Sequence, residues 1–470
     1  MNNLLRTSLA LVLAAPLAAA ADPASDIKAL RAELEAMRSA YEARLQAMES
    51  RLKAAEAAAV AVDAPGAASA PPPAPAPVAA PVPAPAPTAG NGARGASAFN
   101  PAVSLILSGT YTRTSQDPER YAITGFPLPA DAEVGPGTRG LSLAETELGF
   151  AASIDPWFRG AAFVALHPDD SLSVEEAWVQ TTSLGGGFSL KAGRFFSGIG
   201  YLNPKHAHTR DFVDSPLAYQ AMLGSQFGDD GLQLTWVAPT DWLVELGAEV
   251  GRGRSFPGGG DTSRNGAGMH ALTAHTGGDI GDSHNWRAGL SMLRAKAKDQ
   301  TLLAADAAGD TLASAFTGDT RIWIADAVWK WAPGGNDART AFTLQGEYLH
   351  STRNGELVYD IGGADSPGAL RTTQSGWYLQ GVYKFMPRWR VGLRTERLDP
   401  GTPDDGAGAG WPATSDYRPR RNTAMLEYRP SEFSRVRLQW ARDHAREGAA
   451  DNQLFLQYQM SLGAHGAHRY

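Results

Sequence analysis

LFLQYQMSL (454–462) carries apolar or aromatic residues at every even position, and polar residues at every odd position from Gln457 on. A period of two is the signature of a strand with one apolar and one polar face. Similar stretches occur at 101–112, 141–154, 157–168, 171–183, 187–196, 230–239, 241–252, 267–278, 284–297, 320–332, 338–351, 374–386, 388–399, 419–429 and 433–444. With 451–463 they make sixteen, an even number, and each is about long enough to cross a bilayer as a tilted strand. The connections alternate in length. Short turns at 155–156, 183–187, 239–241, 386–387 and 430–431 alternate with a set that includes 113–140, 197–229, 253–266, 298–319, 352–373 and 400–418. That parity is the periplasmic-turn, extracellular-loop asymmetry of outer-membrane barrels, and a soluble sandwich or propeller has no reason to produce it. The expected fold is all-β, a 16-stranded antiparallel transmembrane β-barrel over 98–470.

Aromatic residues agree. Trp242, Trp286, Trp323, Trp329, Trp331, Trp377, Tyr383, Phe385, Trp389, Tyr428, Trp440 and Tyr458 mostly fall on the apolar parity, many near a strand end, where lipid-interface girdles sit. Over all 470 residues the formal net charge is −7 and there is no cysteine. Disulfide scaffolds, iron–sulfur clusters and thiolate zinc sites are thereby excluded. A mildly acidic chain also argues against nucleic acid as a partner. The mean hydropathy of −0.26 is compatible with a barrel, whose apolar face occupies only alternate residues.

Three segments precede the strands. MNNLLRTSLALVLAAPLAAAA (1–21) has Arg6, an apolar run over 9–17 and small residues before Asp22, as a secretory signal peptide does. Over 22–58, Ile27, Leu30, Leu34, Met37, Tyr41, Leu45, Met48 and Leu52 form a heptad seam with one longer step after Tyr41. An N-terminal coiled-coil helix that self-associates is the physical reading, with a single solvated helix as the alternative. Residues 59–97, centred on PPPAPAPVAAPVPAPAPTAG, form a stiff Pro/Ala-rich spacer. Both ends of the barrel fall on the short-turn side, so this arm is expected in the periplasm.

On the polar parity, earlier strands contribute Glu145, Glu147, Glu245, Glu249 and Glu347, and later strands Arg388, Arg390, Arg394, Arg421, Arg435 and Arg437. If both sets line one aqueous channel, they set a transverse field across it, with an arginine track suited to anions. The alternative is that these arginines balance wall carboxylates or face headgroups. The third long loop, SGIGYLNPKHAHTRDFVDSPLAYQAMLGSQFGD (197–229), is too apolar to stand in water, and it is expected to fold into the lumen as a constriction bearing Arg210, Asp214 and Tyr219. Its His206, His208 and Asp211 offer ligands for zinc or another divalent metal, or else bond the loop to the wall. No Gly-x-Ser-x-Gly, His-Glu-x-x-His or phosphate-cradling glycine loop is present, so no enzyme is expected.

The signal peptide, coiled coil, spacer and sixteen strands together resemble Gram-negative porins with N-terminal arms, the phosphate-selective and sucrose-specific porins among them. That resemblance implies a homotrimer. SLAETELGFAASIDPWFRG (142–160), KAGRFFSGIGYLNPKHAHTRDFVDSPL (191–217) and DNQLFLQYQMSLGAHGAHRY (451–470) are similar to a family of proteobacterial outer-membrane proteins often labelled zinc-regulated or TonB-dependent receptors. The resemblance implies outer-membrane location and a link to zinc. It does not carry active transport, because a TonB-dependent transporter is a 22-stranded barrel around a plug, and this chain has neither. The functional expectation is a passive channel for small hydrophilic, anionic solutes, embedded in outer-membrane lipid, with no resident cofactor. The alternatives are a zinc-uptake receptor using His206 and His208, and a structural anchor whose coiled coil grips peptidoglycan or another periplasmic partner.

Overall fold

A computed structural model describes residues 101–144, 146–260, 266–306, 308–406, 410–413 and 416–463. The signal, coiled-coil and spacer segments lie outside the described residues, as do Glu145 and the histidines of the C-terminal tail. Sixteen antiparallel strands form a closed barrel. They are β1 (Ala102–Thr114), β2 (Gly140–Leu143 and Thr146–Ser153), β3 (Phe158–Leu166), β4 (Leu172–Thr181), β5 (Phe188–Phe196), β6 (Gly228–Val237), β7 (Leu243–Gly251) and β8 (Met269–Ile280). There follow β9 (His284–Ala305), β10 (Thr311–Trp331), β11 (Ala341–Tyr359), β12 (Ser366–Met386), β13 (Trp389–Asp399), β14 (Arg420–Ser431), β15 (Ser434–His444) and β16 (Asp451–Gly463). Closure comes from β16 pairing with β1, in a register running from Ser104 opposite Gly463 to Thr114 opposite Gln453.

The two faces are inverted relative to a soluble protein. Leu246, Leu290, Leu393, Leu426 and Leu456 are exposed on the outside, while Ser291, Gln345, Gln380, Thr423 and Gln439 are buried within. Only a lipid solvent favours that arrangement. At the short-turn end the Trp389 and Tyr428 rings lie 4.7 Å apart and those of Trp329 and Phe342 5.9 Å apart, part of an aromatic belt at one interface.

Strands β9 to β12 outrun the sequence reading. Residues 298–319 and 352–373, expected as loops, are largely ladder: pairing continues to Ala305 opposite Thr311 and to Tyr359 opposite Ser366. The four strands contain 22, 21, 19 and 21 residues, roughly twice what a bilayer needs. Beyond the lipid no face must be apolar, so the alternation lapses while the hydrogen bonds persist. β8 ends at Met269, which leaves the upper edge of β9 open. Gly259–Gly260 pairs there with Ala297 and Lys298, and Leu128–Pro129 pairs with Leu302 and Leu303. The edge is thus covered by two loops. Inside this raised wall, Phe256 and Trp411 from the loops pack with Leu302, Phe316, Leu357 and Leu370.

Candidate functional site

The chain turns into the lumen after β5. Residues 197–227 fill much of the interior and carry a short α-helix, α1 (Leu217–Leu223), every residue of which is buried. Its apolar side packs on the inward residues Ile322, Ile324, Leu349, Tyr378 and Leu398, and Ile123 and Phe126 of the first loop belong to the same cluster. A helix this apolar has nowhere else to go. The Glu396 carboxylate accepts from the Leu217 N–H at its first turn, and Gly224, with φ +61°, ends it in the left-handed conformation that glycine tolerates.

Inward glutamates hold the loop. Ser197 Oγ and the Gly198 N–H donate to Glu249 at 2.6 and 2.8 Å. Glu347 accepts from the Tyr219 hydroxyl at 2.8 Å, the Tyr378 hydroxyl at 2.6 Å and the Leu202 N–H at 3.0 Å. Glu245 faces His275 at 3.1 Å. The earlier strands therefore do not present a free acidic wall. Glu249 and Glu347 serve as acceptors for loop donors.

The arginines are likewise matched. Across β13, β14 and β15 the register places Arg390, Glu427 and Arg437 in one row, and Glu396, Arg421 and Asp443 in another. Arg437 Nη2 lies 2.6 Å from Glu427, and Arg390 Nε 3.0 Å from it. Arg394 and Arg421 share Glu396 at 2.7 and 2.9 Å and also hold Asp214 of the loop at 2.8 and 2.7 Å. Burial opposes ionisation of Asp214, but these two guanidiniums bring its pKa down to about 2. Arg435 donates to the His208 and Gln459 oxygens and Arg437 to the Arg210 carbonyl. Arg390, Arg394, Arg421, Arg435 and Arg437 thus meet Glu396, Glu427, Asp443, Asp211 and Asp214, and Arg429 adds a further contact to Glu427 at 2.7 Å. The expected transverse field between an open acidic wall and an open basic one is absent from this arrangement. Arg388 is also not on the wall; it is exposed in the short turn between β12 and β13. Arg210 is buried in the loop and donates to Ser215 Oγ at 2.6 Å.

The histidine set needs a correction too. Asp211 is engaged by Arg390 at 2.6 Å rather than by the imidazoles. His206 lies instead among Glu147, Glu175 and Glu176, at 2.7, 3.1 and 3.0 Å, beneath the Phe163 and Phe196 rings. Burial opposes a charge on His206, and hydrogen bonds to the three glutamates overcome it, holding its pKa well above the ordinary imidazole value. Burial arises from the fold, so spacing in the sequence could pair His206 with Asp211 but could not find Glu147 or Glu176.

Sequence reasoning missed another group. A cavity of about 1080 Å³ opens near the short-turn end; Tyr201, Lys205 and Lys330 line it, and Glu176, Asp211 and Asp282 are among the carboxylates on the same wall. Lys205 Nζ lies 3.6 Å from the centre of the Tyr201 ring and the Arg287 guanidinium 5.4 Å from it. Among the described residues, Lys205, Arg287 and Lys330 make no ion pair within 4.0 Å. Burial lowers the Lys205 pKa to about 8, against the pull of Asp211, which leaves it mostly charged at neutral pH. Elsewhere, His167 Nε2 lies 2.7 Å from Ser173 Oγ, but the Glu133 carboxylate behind it is 77% exposed at 3.4 Å, so nothing rigid orients the ring for catalysis.

No family model matches the chain. An uncharacterized protein of Aquifex aeolicus is 29% identical over 409 residues, covering 79% of this chain and 80% of the relative. Among solved structures, the anion-selective porin of Comamonas acidovorans superposes with a TM-score of 0.46 at 11% identity, over 77% of this chain and 99% of that one. The outer-membrane channel DcaP of Acinetobacter baumannii gives 0.46 at 13% identity, over 77% and 97%.

Proposed function

We propose that this protein is an outer-membrane channel of a Gram-negative bacterium, passing small hydrophilic solutes by diffusion, with a preference for anions set at the Lys205 chamber. The barrel with its apolar exterior and polar interior supports the location. The observation that carries the preference is the group of three cations, Lys205, Arg287 and Lys330, that gather around Tyr201 with no carboxylate among the described residues within ion-pair distance, Asp211 and Asp326 standing farther off. A local positive cluster at a constriction with low-dielectric walls concentrates anions. On this reading the inward loop narrows the path, the N-terminal arm hangs in the periplasm, and three copies associate through barrel and coiled coil.

Purified protein in a planar bilayer tests the assignment. Discrete open steps, with a reversal potential in a potassium chloride gradient that favours chloride, are the expected result. Replacing Lys205 and Lys330 together by Gln should move that reversal potential toward the unselective value. Absence of conductance steps would overturn the channel, and steps with unchanged selectivity in the double variant would overturn the role of the chamber.

A further inference from the structure

Two imidazoles converge on one buried carboxylate oxygen where the inward loop meets β2. His206 Nδ1 lies 2.7 Å from Glu147 Oε2, and His208 Nδ1 lies 3.5 Å from the same atom. One ligand atom from each of these three residues falls within 4.8 Å of the others, and all three side chains are buried. A tetrahedral ion bound at 2.0–2.2 Å separates its ligands by about 3.4 Å, so His208 already stands at ligand spacing from Glu147, and His206 need only draw back from it by about 0.7 Å to admit the ion.

The surroundings suit a metal as well. His206 Nε2, the nitrogen turned away from Glu147, lies 3.0 Å from Glu176 Oε2. A carboxylate that holds the outer N–H of a histidine fixes its tautomer and leaves the other nitrogen free to ligate. Two imidazole nitrogens and one carboxylate oxygen are a donor set for zinc and its neighbours, with a fourth position open, and not for calcium or magnesium, which take oxygen. The 1080 Å³ cavity reaches both His206 and Glu176, which gives an ion a way in, and Glu175, 3.1 Å from His206 Nδ1, stands beside the fourth position. Asp211 takes no part, being held by Arg390.

We propose that Glu147, His206 and His208 bind one divalent transition-metal ion of the zinc class, with Glu176 positioning His206, so that the ion fastens the inward loop to β2. This goes beyond the channel reading and does not depend on it: binding is measured in detergent, and conductance in metal-free buffer tests the channel by itself. Full-length protein stripped with chelator is titrated with zinc by calorimetry and with cobalt by visible absorption. One zinc per chain and the intense visible bands of tetrahedral cobalt are expected. The His206→Ala/His208→Ala variant should lose both signals. Glu176→Gln, which keeps all three ligands, should bind zinc about 10–100-fold more weakly, and His275→Ala should bind as the unaltered protein does. Heat-modifiable migration on gels confirms that each variant is folded. No stoichiometric binding, or equal binding after both histidines are removed, would overturn the site.

Discussion

Asp214 is the place to test whether ion pairs hold the inward loop. Its carboxylate, 7% exposed, accepts from Arg394 at 2.8 Å and Gln439 at 2.7 Å and lies 2.7 Å from the Arg421 guanidinium as an ion pair. Bonds of this kind contribute about 1.5–3 kcal/mol each when one partner is charged. They do not add, because both arginines keep Glu396 when Asp214 is removed. Breaking a buried ion pair from one side costs about 3–5 kcal/mol, and retention of Glu396 puts Asp214→Ala near the lower end. The barrel ladder is untouched, so the cost falls on docking of the loop. At about 1.4 kcal/mol per decade, the undocked population should rise on the order of a hundredfold or more. Asp211 is the internal comparison. One arginine holds it, and its side chain is 24% exposed, so Asp211→Ala should weaken docking by about 1–2 kcal/mol, near tenfold. Limited proteolysis of the folded protein reads the open population directly when reclosing is fast. Cleavage within 197–227 should accelerate strongly in Asp214→Ala and modestly in Asp211→Ala. Rates within threefold of the unaltered protein for Asp214→Ala, or an equal effect of the two substitutions, would refute ion-pair anchoring.

Gly200 has φ +64°, and a Cβ there would run into the Glu347 carboxylate and the Tyr219 hydroxyl. Gly200→Ala should therefore displace the loop and raise the same cleavage rate, whereas Gly137→Ala, also at positive φ but in open space, should leave it unchanged. Trp411 is fully buried and donates to the Ala304 carbonyl at 3.2 Å. Trp411→Ala should cost about 3–5 kcal/mol locally, seen as faster hydrogen exchange in the raised parts of β9 to β12 with the membrane-depth amides still protected. Tyr378→Phe removes one donor from Glu347 and leaves Tyr219 and two loop amides in place. A loss of about 1 kcal/mol or more in thermal or denaturant stability is expected, and no measurable loss would refute the role of Glu347 as the acceptor that gathers these donors.

The alternation at 454–462 and its fifteen counterparts was enough to count the strands, because lipid on one side and a polar interior on the other impose a period of two. Where the lipid ends, that constraint ends. Gln300 and Thr301 stand on a continuing strand and are both polar, so nothing in their pattern distinguishes ladder from loop. Parity put Arg390, Arg421 and Arg437 inside but could not pair them. Their partners are fixed by register: Glu427 stands between Arg390 and Arg437 only once three strands are aligned to the residue. The same limit applies to His206. Its near neighbour in sequence is Asp211, but Glu147 and Glu176 reach it from two different strands. Lys205 and Lys330 were overlooked because single lysines on separate elements form no motif, and their meeting at Tyr201 is a product of the loop turning inward.

The inward loop touches β2 through Glu147, β7 through Glu249, β11 through Glu347, β13 through Glu396 and β15 through Gln439. Contacts spread around the whole circumference bear on the order of assembly. Glu249 and Glu347 gain their loop donors only once the loop is in place, whereas Arg421 and Arg437 keep Glu396 and Glu427 on the wall without it. Seating the loop and holding the sheet in its closed register are therefore coupled, the loop serving as a mandrel against which five strands are aligned. Chains in which it is shortened should accumulate as open, edge-exposed sheets, the form most prone to pair with a neighbouring chain.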